Sequence, residues 1–378
     1  MRKIFITLLI VLSFCTAQAP VLAQHQDDLQ LKSEAAVLMD SQTGAILYGK
    51  NATEKMYPAS LTKIATAIYA IEKGNLNDIV TVSENAYNTE GTKVYLEIGE
   101  KVPLHHLLQG LLINSGNDAA VAIAEHLDGN VENFSVNLNE YLKDKIGVKD
   151  THFVNPHGLY DENHYTTAAD LAKITSYAMK NKDFKEIFGT KELTWDGLTW
   201  DTTLITHHQM LKGEIPYPGV TGGKTGFVNE SKQTLATTVD NGQLQFTAIV
   251  LKTDYKRDIY NDTKQLFDYG FQHFKRSQLA ESDTFKIQDK VFKPRGLVLI
   301  TEPIEGVKYE VSNKGMLRVQ TPENETIQEI QLVPNQKQLK KQKVIPSSEN
   351  NAPFKSMNVF FGTIAVLATG AAFSVRKK

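Results

Sequence analysis

The chain has 378 residues, 41% of them hydrophobic and 22% charged, and a formal net charge of -2. That length exceeds one average domain, and the composition is that of a folded protein rather than a disordered one. A near-neutral balance without a basic stripe carrying interleaved aromatics gives no electrostatic reason to expect nucleic acid as a partner.

The chain begins Met1-Arg2-Lys3, continues through apolar Ile4 to Phe14, and reaches small residues ending Val21-Leu22-Ala23. These are the charged, apolar and cleavage regions of a secretory signal peptide, residues 1–23, with Gln24 as the mature start. The apolar run is well short of the ~20 residues an uncleaved anchor helix would need. Cys15 is the only cysteine and lies inside this signal. Bulky Phe14 before it does not suit a lipoprotein cleavage site. The mature chain therefore has no disulfide, no thiolate zinc ligand and no thiol nucleophile.

Ala35 to Met39 and Ala45 to Tyr48 read as two short strands joined by the turn-rich Asp40-Ser41-Gln42-Thr43-Gly44. Pro58-Ala59 then precedes a helical stripe of Leu61, Ile64, Ala65, Ile68 and Ile71, which puts Ser60 at a helix N-terminus. Residues 60 to 190 are mostly helical by pattern, and Ser115-Gly116-Asn117 falls between two helical stretches. Lys224-Thr225-Gly226 follows Pro218-Gly219 and Gly222-Gly223 and leads toward strands. Two strands from Ser231, the first ending at Val239 and the second starting at Gln243, flank the hairpin signal Asp240-Asn241-Gly242. Ile259, Leu266, Phe267 and Phe271 then fall near one helix face. Strands at both ends with helices between them predict an α+β domain over residues 30–277, its antiparallel sheet closed by distant parts of the chain.

Residues 280–335 change to short β-rich segments punctuated by Glu305-Gly306, Asn313-Lys314-Gly315 and Pro322, the pattern of a small β-sandwich domain. Residues 336–355 turn polar, basic and proline-containing, a tether. Ser356 to Val375 is an uncharged run followed by Arg376-Lys377-Lys378. At 1.5 Å per residue it is about 30 Å long, enough for a membrane anchor helix over residues 356–375. Its terminal cations belong inside, which agrees with an exported body on the extracytoplasmic face. An in-plane amphipathic helix is the competing reading, because Gly362, Thr363, Thr369, Gly370 and Ser374 dilute the apolar run.

Three short motifs in this order, Ser60-Leu61-Thr62-Lys63, Ser115-Gly116-Asn117 and Lys224-Thr225-Gly226, supply the parts of a serine acyl-transfer enzyme: a hydroxyl nucleophile, a base beside it, a proton relay and a cationic clamp for an anionic substrate. Residues three apart on a helix share a face, so Lys63 reaches the Ser60 hydroxyl. A lysine acts as a base only when neutral, and burial plus a second cation, Lys224, would lower its pKa. Ser115 is placed to pass a proton between Lys63 and the leaving amine, and the Asn117 amide to hold the acyl side of the substrate. Gly226 permits close backbone approach by a substrate lying along a strand edge. Gly223-Lys224-Thr225 imitates the end of a phosphate loop, but that motif needs glycine where Pro218 stands. The pairs His105-His106 and His207-His208 read as surface or loop histidines. With no His-Glu-x-x-His, neither a metal nor a cofactor is expected.

Together with Phe153-Val154-Asn155-Pro156-His157-Gly158-Leu159 and Tyr165 to Ala172, these motifs make residues 30 to 345 resemble the low-molecular-mass penicillin-binding proteins that act as serine-type D-alanyl-D-alanine carboxypeptidases. The resemblance implies a β-lactamase/transpeptidase-like catalytic domain with an antiparallel sheet and a helical region. It implies peptidoglycan stem peptides ending in D-Ala-D-Ala as substrate and β-lactams as covalent inhibitors. It also implies an oxyanion hole from the backbone N–H groups of Ser60 and Phe227, with the terminal carboxylate on Lys224 and Thr225. Phe227 departs from the histidine several relatives carry. A transpeptidase or endopeptidase of the same fold, a serine β-lactamase and a non-catalytic wall-binding protein are the alternatives.

Overall fold

In the computed structural model, which describes residues 29–335, β1 (Ala35–Asp40) and β2 (Ile46–Lys50) pair antiparallel around the turn. All six residues of β1 are buried. Ala35, Val37 and Met39 join one apolar cluster, and Ala36 and Leu38 join another. Successive strand side chains point to opposite faces, so a strand covered on both sides reads as a continuous apolar run rather than an alternation.

A turn of 3-10 helix, Ala59–Leu61, leads into α1 (Thr62–Lys73). The short strands β3 (Ile79–Thr81) and β4 (Lys101–Pro103) pair, with α2 (Glu84–Asn88) between them. The helical region continues through α3 (Leu104–Ile113), α4 (Asn117–Asp128), α5 (Val131–Tyr141), α6 (Ala168–Ala178) and α7 (Lys182–Phe188). A hairpin not foreseen from the sequence, β5 (Glu192–Asp196) with β6 (Asp201–Ile205), precedes the single-turn α8 (Gln209–Lys212). Then come β7 (Val220–Val228), β8 (Lys232–Asp240), β9 (Gln245–Thr253) and α9 (Lys256–His273).

The main sheet is antiparallel in the order β2-β1-β9-β8-β7. The first strands of the chain thus lie beside β9, the last strand of this sheet, as the sequence predicts, and β7 is left as an edge. α6 covers one face, with α1 packed against it, and α9 covers the other, dividing the core into two clusters. Gly270 lets α9 approach closely, because a Cβ there would lie 2.7 Å from both Leu38 and Phe246.

α9 runs directly into β10 (Phe274–Leu279), followed by β11 (Phe285–Ile287), β12 (Lys290–Lys293), β13 (Val298–Pro303), β14 (Lys308–Val311), β15 (Met316–Gln320), β16 (Thr326–Gln331) and β17 (Val333–Pro334). They form three small antiparallel sheets, β10-β13, β11-β12-β17 and β14-β15-β16. Phe292, Ile300, Leu317 and Val319 share the apolar cluster of Leu38 and Phe246. At the end of β1, fully buried Asp40 accepts hydrogen bonds from Arg276 Nη2 at 2.6 Å and Thr301 Oγ1 at 2.9 Å. The expected signal (1–23), tether (336–355) and anchor (356–375) lie outside the described residues. Among the described residues no helix is long and apolar enough to cross a membrane.

Candidate active site

Ser60 sits in the 3-10 turn at the head of α1, and Lys63 one turn later is fully buried. Lys63 Nζ lies 3.1 Å from Ser60 Oγ, 2.7 Å from Asn117 Oδ1 and 2.7 Å from the carbonyl oxygen of His157. As an ammonium it donates to all three. As a neutral amine its two N–H groups match the two carbonyl-type oxygens, which leaves the lone pair for the Ser60 hydroxyl. Burial holds the Lys63 pKa well below the usual lysine value, the Lys224 charge lowers it further, and Asp118 acts in the opposite direction.

Asn117 opens α4, where it is buried, and its Nδ2 donates to the Glu90 carbonyl at 2.6 Å. Its side chain is thus already engaged at both ends, and in this structure it binds Lys63. Gly91, at φ +87°, leaves the space Asn117 needs, since a Cβ there would sit 2.5 Å from Asn117 Nδ2. Buried Asp118 accepts from the backbone N–H groups of Val94, Leu96 and Ala119, which ties the segment after Gly91 to the head of α4. Ser115, also buried, occupies the turn between α3 and α4 at φ +66°, an uncommon conformation for a residue with a Cβ.

Lys224, Thr225 and Gly226 lie on edge strand β7. Lys224 is buried, its Nζ donates to the Thr225 carbonyl at 3.1 Å, and burial pushes its pKa down to about 7. A Cβ on Gly226 would meet Thr234 Oγ1 at 2.4 Å and Ser60 N at 2.9 Å. Glycine here lets the edge strand approach the turn that carries Ser60. Phe227 is 55% exposed at the outer end of this stretch.

The fold therefore brings Ser60, Lys63 and Asn117 into one hydrogen-bonded cluster and sets Gly226 against Ser60. A half-buried serine hydroxyl facing an amine of depressed pKa at a helix start is equipped for nucleophilic acyl transfer. A family model described as D-alanyl-D-alanine carboxypeptidase matches residues 21–255. This chain belongs to that family. Among its carboxypeptidase relatives, DacF of Bacillus subtilis is 33% identical over 321 residues, 80% of each chain. Penicillin binding protein 5 of Haemophilus influenzae superposes with a TM-score of 0.67 at 26% identity, covering 81% of this chain and 97% of that one. A Streptomyces K15 DD-transpeptidase, in a mutant form, superposes at 0.60 with 28% identity, covering 65% of this chain and all of its own.

Sequence reasoning missed several parts of this carboxypeptidase-family site. The His157 carbonyl, Glu90, Gly91 and Asp118 have roles set by contacts between distant segments, and only the stretch Phe153 to Leu159 drew attention, by resemblance. The second histidine pair lies in the loop before α8, as the reading of surface or loop histidines has it, but His208 is fully buried there; its Nδ1 accepts from Leu211 N and its Nε2 pairs with Thr237 Oγ1 at 2.8 Å. His105 and His106 lie on α3 rather than in a loop. His106 stacks on Trp195 with ring centroids 4.0 Å apart.

Proposed function

We infer that this protein is a serine-type DD-carboxypeptidase that binds penicillin, and we propose the following roles for its site. Ser60 Oγ attacks the carbonyl carbon of the penultimate D-alanine while its proton passes to neutral Lys63. The backbone N–H groups of Ser60 and Phe227 hold the oxyanion at the positive end of α1. As the C–N bond breaks, the proton leaves Lys63 through the Ser115 hydroxyl to the amine of the departing D-alanine. Water then attacks the acyl-enzyme, one of its protons returns to Ser60 Oγ, and the shortened stem peptide is released. Asn117 holds Lys63 and the acyl segment, while Lys224 and Thr225 bind the free terminal carboxylate.

The observation that carries this reading is the position of Lys63 Nζ, 3.1 Å from Ser60 Oγ with its other two partners both carbonyl-type oxygens. We further propose that residues 30–277 carry the chemistry, that 280–335 form a small β-sandwich domain, and that the exported protein is held at the extracytoplasmic membrane face through residues 356–375. Likeness to the K15 DD-transpeptidase supports a second reading, transfer of the same acyl group to an amine. Incubation with a D-Ala-D-Ala pentapeptide, alone and with an acceptor amine, followed by mass spectrometry, decides between them. Tetrapeptide supports the carboxypeptidase, a cross-linked product the transpeptidase, and unchanged peptide contradicts both.

A further inference from the structure

The peptide immediately before the nucleophile is strained and tightly held. Ala59 has φ +49°, a left-handed conformation that a residue with a Cβ rarely adopts unless its surroundings impose it. Its carbonyl oxygen accepts from Thr62 Oγ1 at 2.9 Å. Thr62 Oγ1 in turn lies 2.8 Å from Nε2 of His164, a buried residue that was not singled out in the sequence.

The direction of this chain follows from counting protons. Nδ1 of His164 accepts from the Val154 N–H at 3.1 Å, so that nitrogen carries no hydrogen. In the neutral ring Nε2 then carries it and donates to Thr62 Oγ1, whose single proton is free to go to Ala59. Burial keeps the ring neutral by pushing its pKa to about 3, despite the opposing charge of Asp161. Phe153 stacks on the ring at 4.9 Å and fixes its plane.

Other contacts hold the same turn. Thr234 on β8 donates to the Pro58 carbonyl at 3.1 Å. Gly158, at φ +89°, presses so closely that a Cβ would fall 1.9 Å from the Ala59 oxygen. The arrangement adjoins the site through the chain itself: Ser60 follows Ala59, Lys63 follows Thr62, and Gly158 follows His157, whose carbonyl accepts from Lys63.

We propose that Thr62 and His164 are positioning residues for the nucleophile: the relay from His164 Nε2–H through the Thr62 hydroxyl to the Ala59 carbonyl sets the backbone that aims Ser60 Oγ and the Ser60 N–H. This rests on Ser60 being the acylated residue. Misaiming a nucleophile slows bond formation without weakening the initial non-covalent complex. A residue that merely stabilises the core would instead lower the melting temperature and leave the rate per folded molecule unchanged.

The test is stopped-flow acylation of the full exported chain by a chromogenic cephalosporin. It separates the non-covalent dissociation constant from the acylation rate constant, with intact mass giving the fraction of molecules labelled. Thr62→Val and His164→Phe are expected to slow acylation about 10–100-fold with the dissociation constant unchanged. Thr62→Ser, which keeps the hydroxyl, is expected to restore the rate. Unchanged rates in both variants overturn the inference, as does a loss confined to the labelled fraction or a Thr62→Ser variant as slow as Thr62→Val. If His164→Phe does not fold, the two Thr62 variants decide alone. Failure of the unaltered protein to be labelled at Ser60 refutes the functional reading instead, so the two failures are distinguishable.

Discussion

Replacing Lys224 with methionine keeps most of the side-chain volume and removes the charge, so it isolates what the buried cation costs the fold. The unfolded lysine holds its proton up to about 10.5, whereas the folded one releases it near 7. Between those values the unfolded state binds more protons, so stability rises with pH through that window, and below about 7 the full penalty applies. The drop corresponds to an upper limit of ~5 kcal/mol. Losing the hydrogen bond to the Thr225 carbonyl returns roughly 1 kcal/mol. Lys224→Met should therefore stabilise the substrate-free protein by about 2–4 kcal/mol at pH 6, and the gain should fade toward pH 10. At ~2 °C per kcal/mol for a chain of this size, that is a rise of about 4–8 °C in melting temperature, readable by calorimetry across a pH series. The same change removes a cation that lowers the Lys63 pKa, so the acid limb of the acylation profile should move to higher pH. A lower melting temperature at pH 6, or an unmoved acid limb, would refute this account of the lysine pair.

Lys63→Arg retains a cation that cannot be deprotonated, so acylation should fall by about 10²–10⁴-fold in a folded protein; near-normal acylation would mean that the base lies elsewhere. Asp40→Ala removes the carboxylate that pairs with Arg276, leaving that cation only the Gln42 amide oxygen besides, and takes the acceptor from Thr301 and Gln245; it should destabilise the chain by about 3–5 kcal/mol, with normal activity per folded molecule. A change under about 1 kcal/mol in chemical denaturation would show that this junction does not hold the C-terminal strands. Deleting residues 356–378 should release an active protein from membranes on fractionation, and continued membrane association would rule out the proposed anchor.

The sequence showed those features whose cause is local. The β1 run, the stripe behind Ser60, the hairpin at Asp240-Asn241-Gly242 and the face of α9 each follow from a periodicity or a turn residue within a short window. The β5–β6 hairpin escaped notice because it buries only Trp195 and Leu204, one residue per strand, too few to establish an alternation. Ser60, Lys63 and Lys224 were legible as candidates because their chemistry is unusual in that order and spacing. The parts that aim them were not. His164 meets Thr62 across 102 residues, and Lys63 meets the His157 carbonyl across 94. A backbone oxygen has no side-chain signature, and a histidine or threonine in a window of one sequence does not disclose its distant partner.

The claim at the centre is that one serine, activated by a buried lysine, forms the covalent intermediate. Intact-mass analysis after brief exposure to benzylpenicillin, followed by peptide mapping, tests it most directly. The account predicts a single penicilloyl adduct on Ser60 that vanishes in Ser60→Ala. An adduct that persists in that variant, or one mapped to another residue, would contradict it.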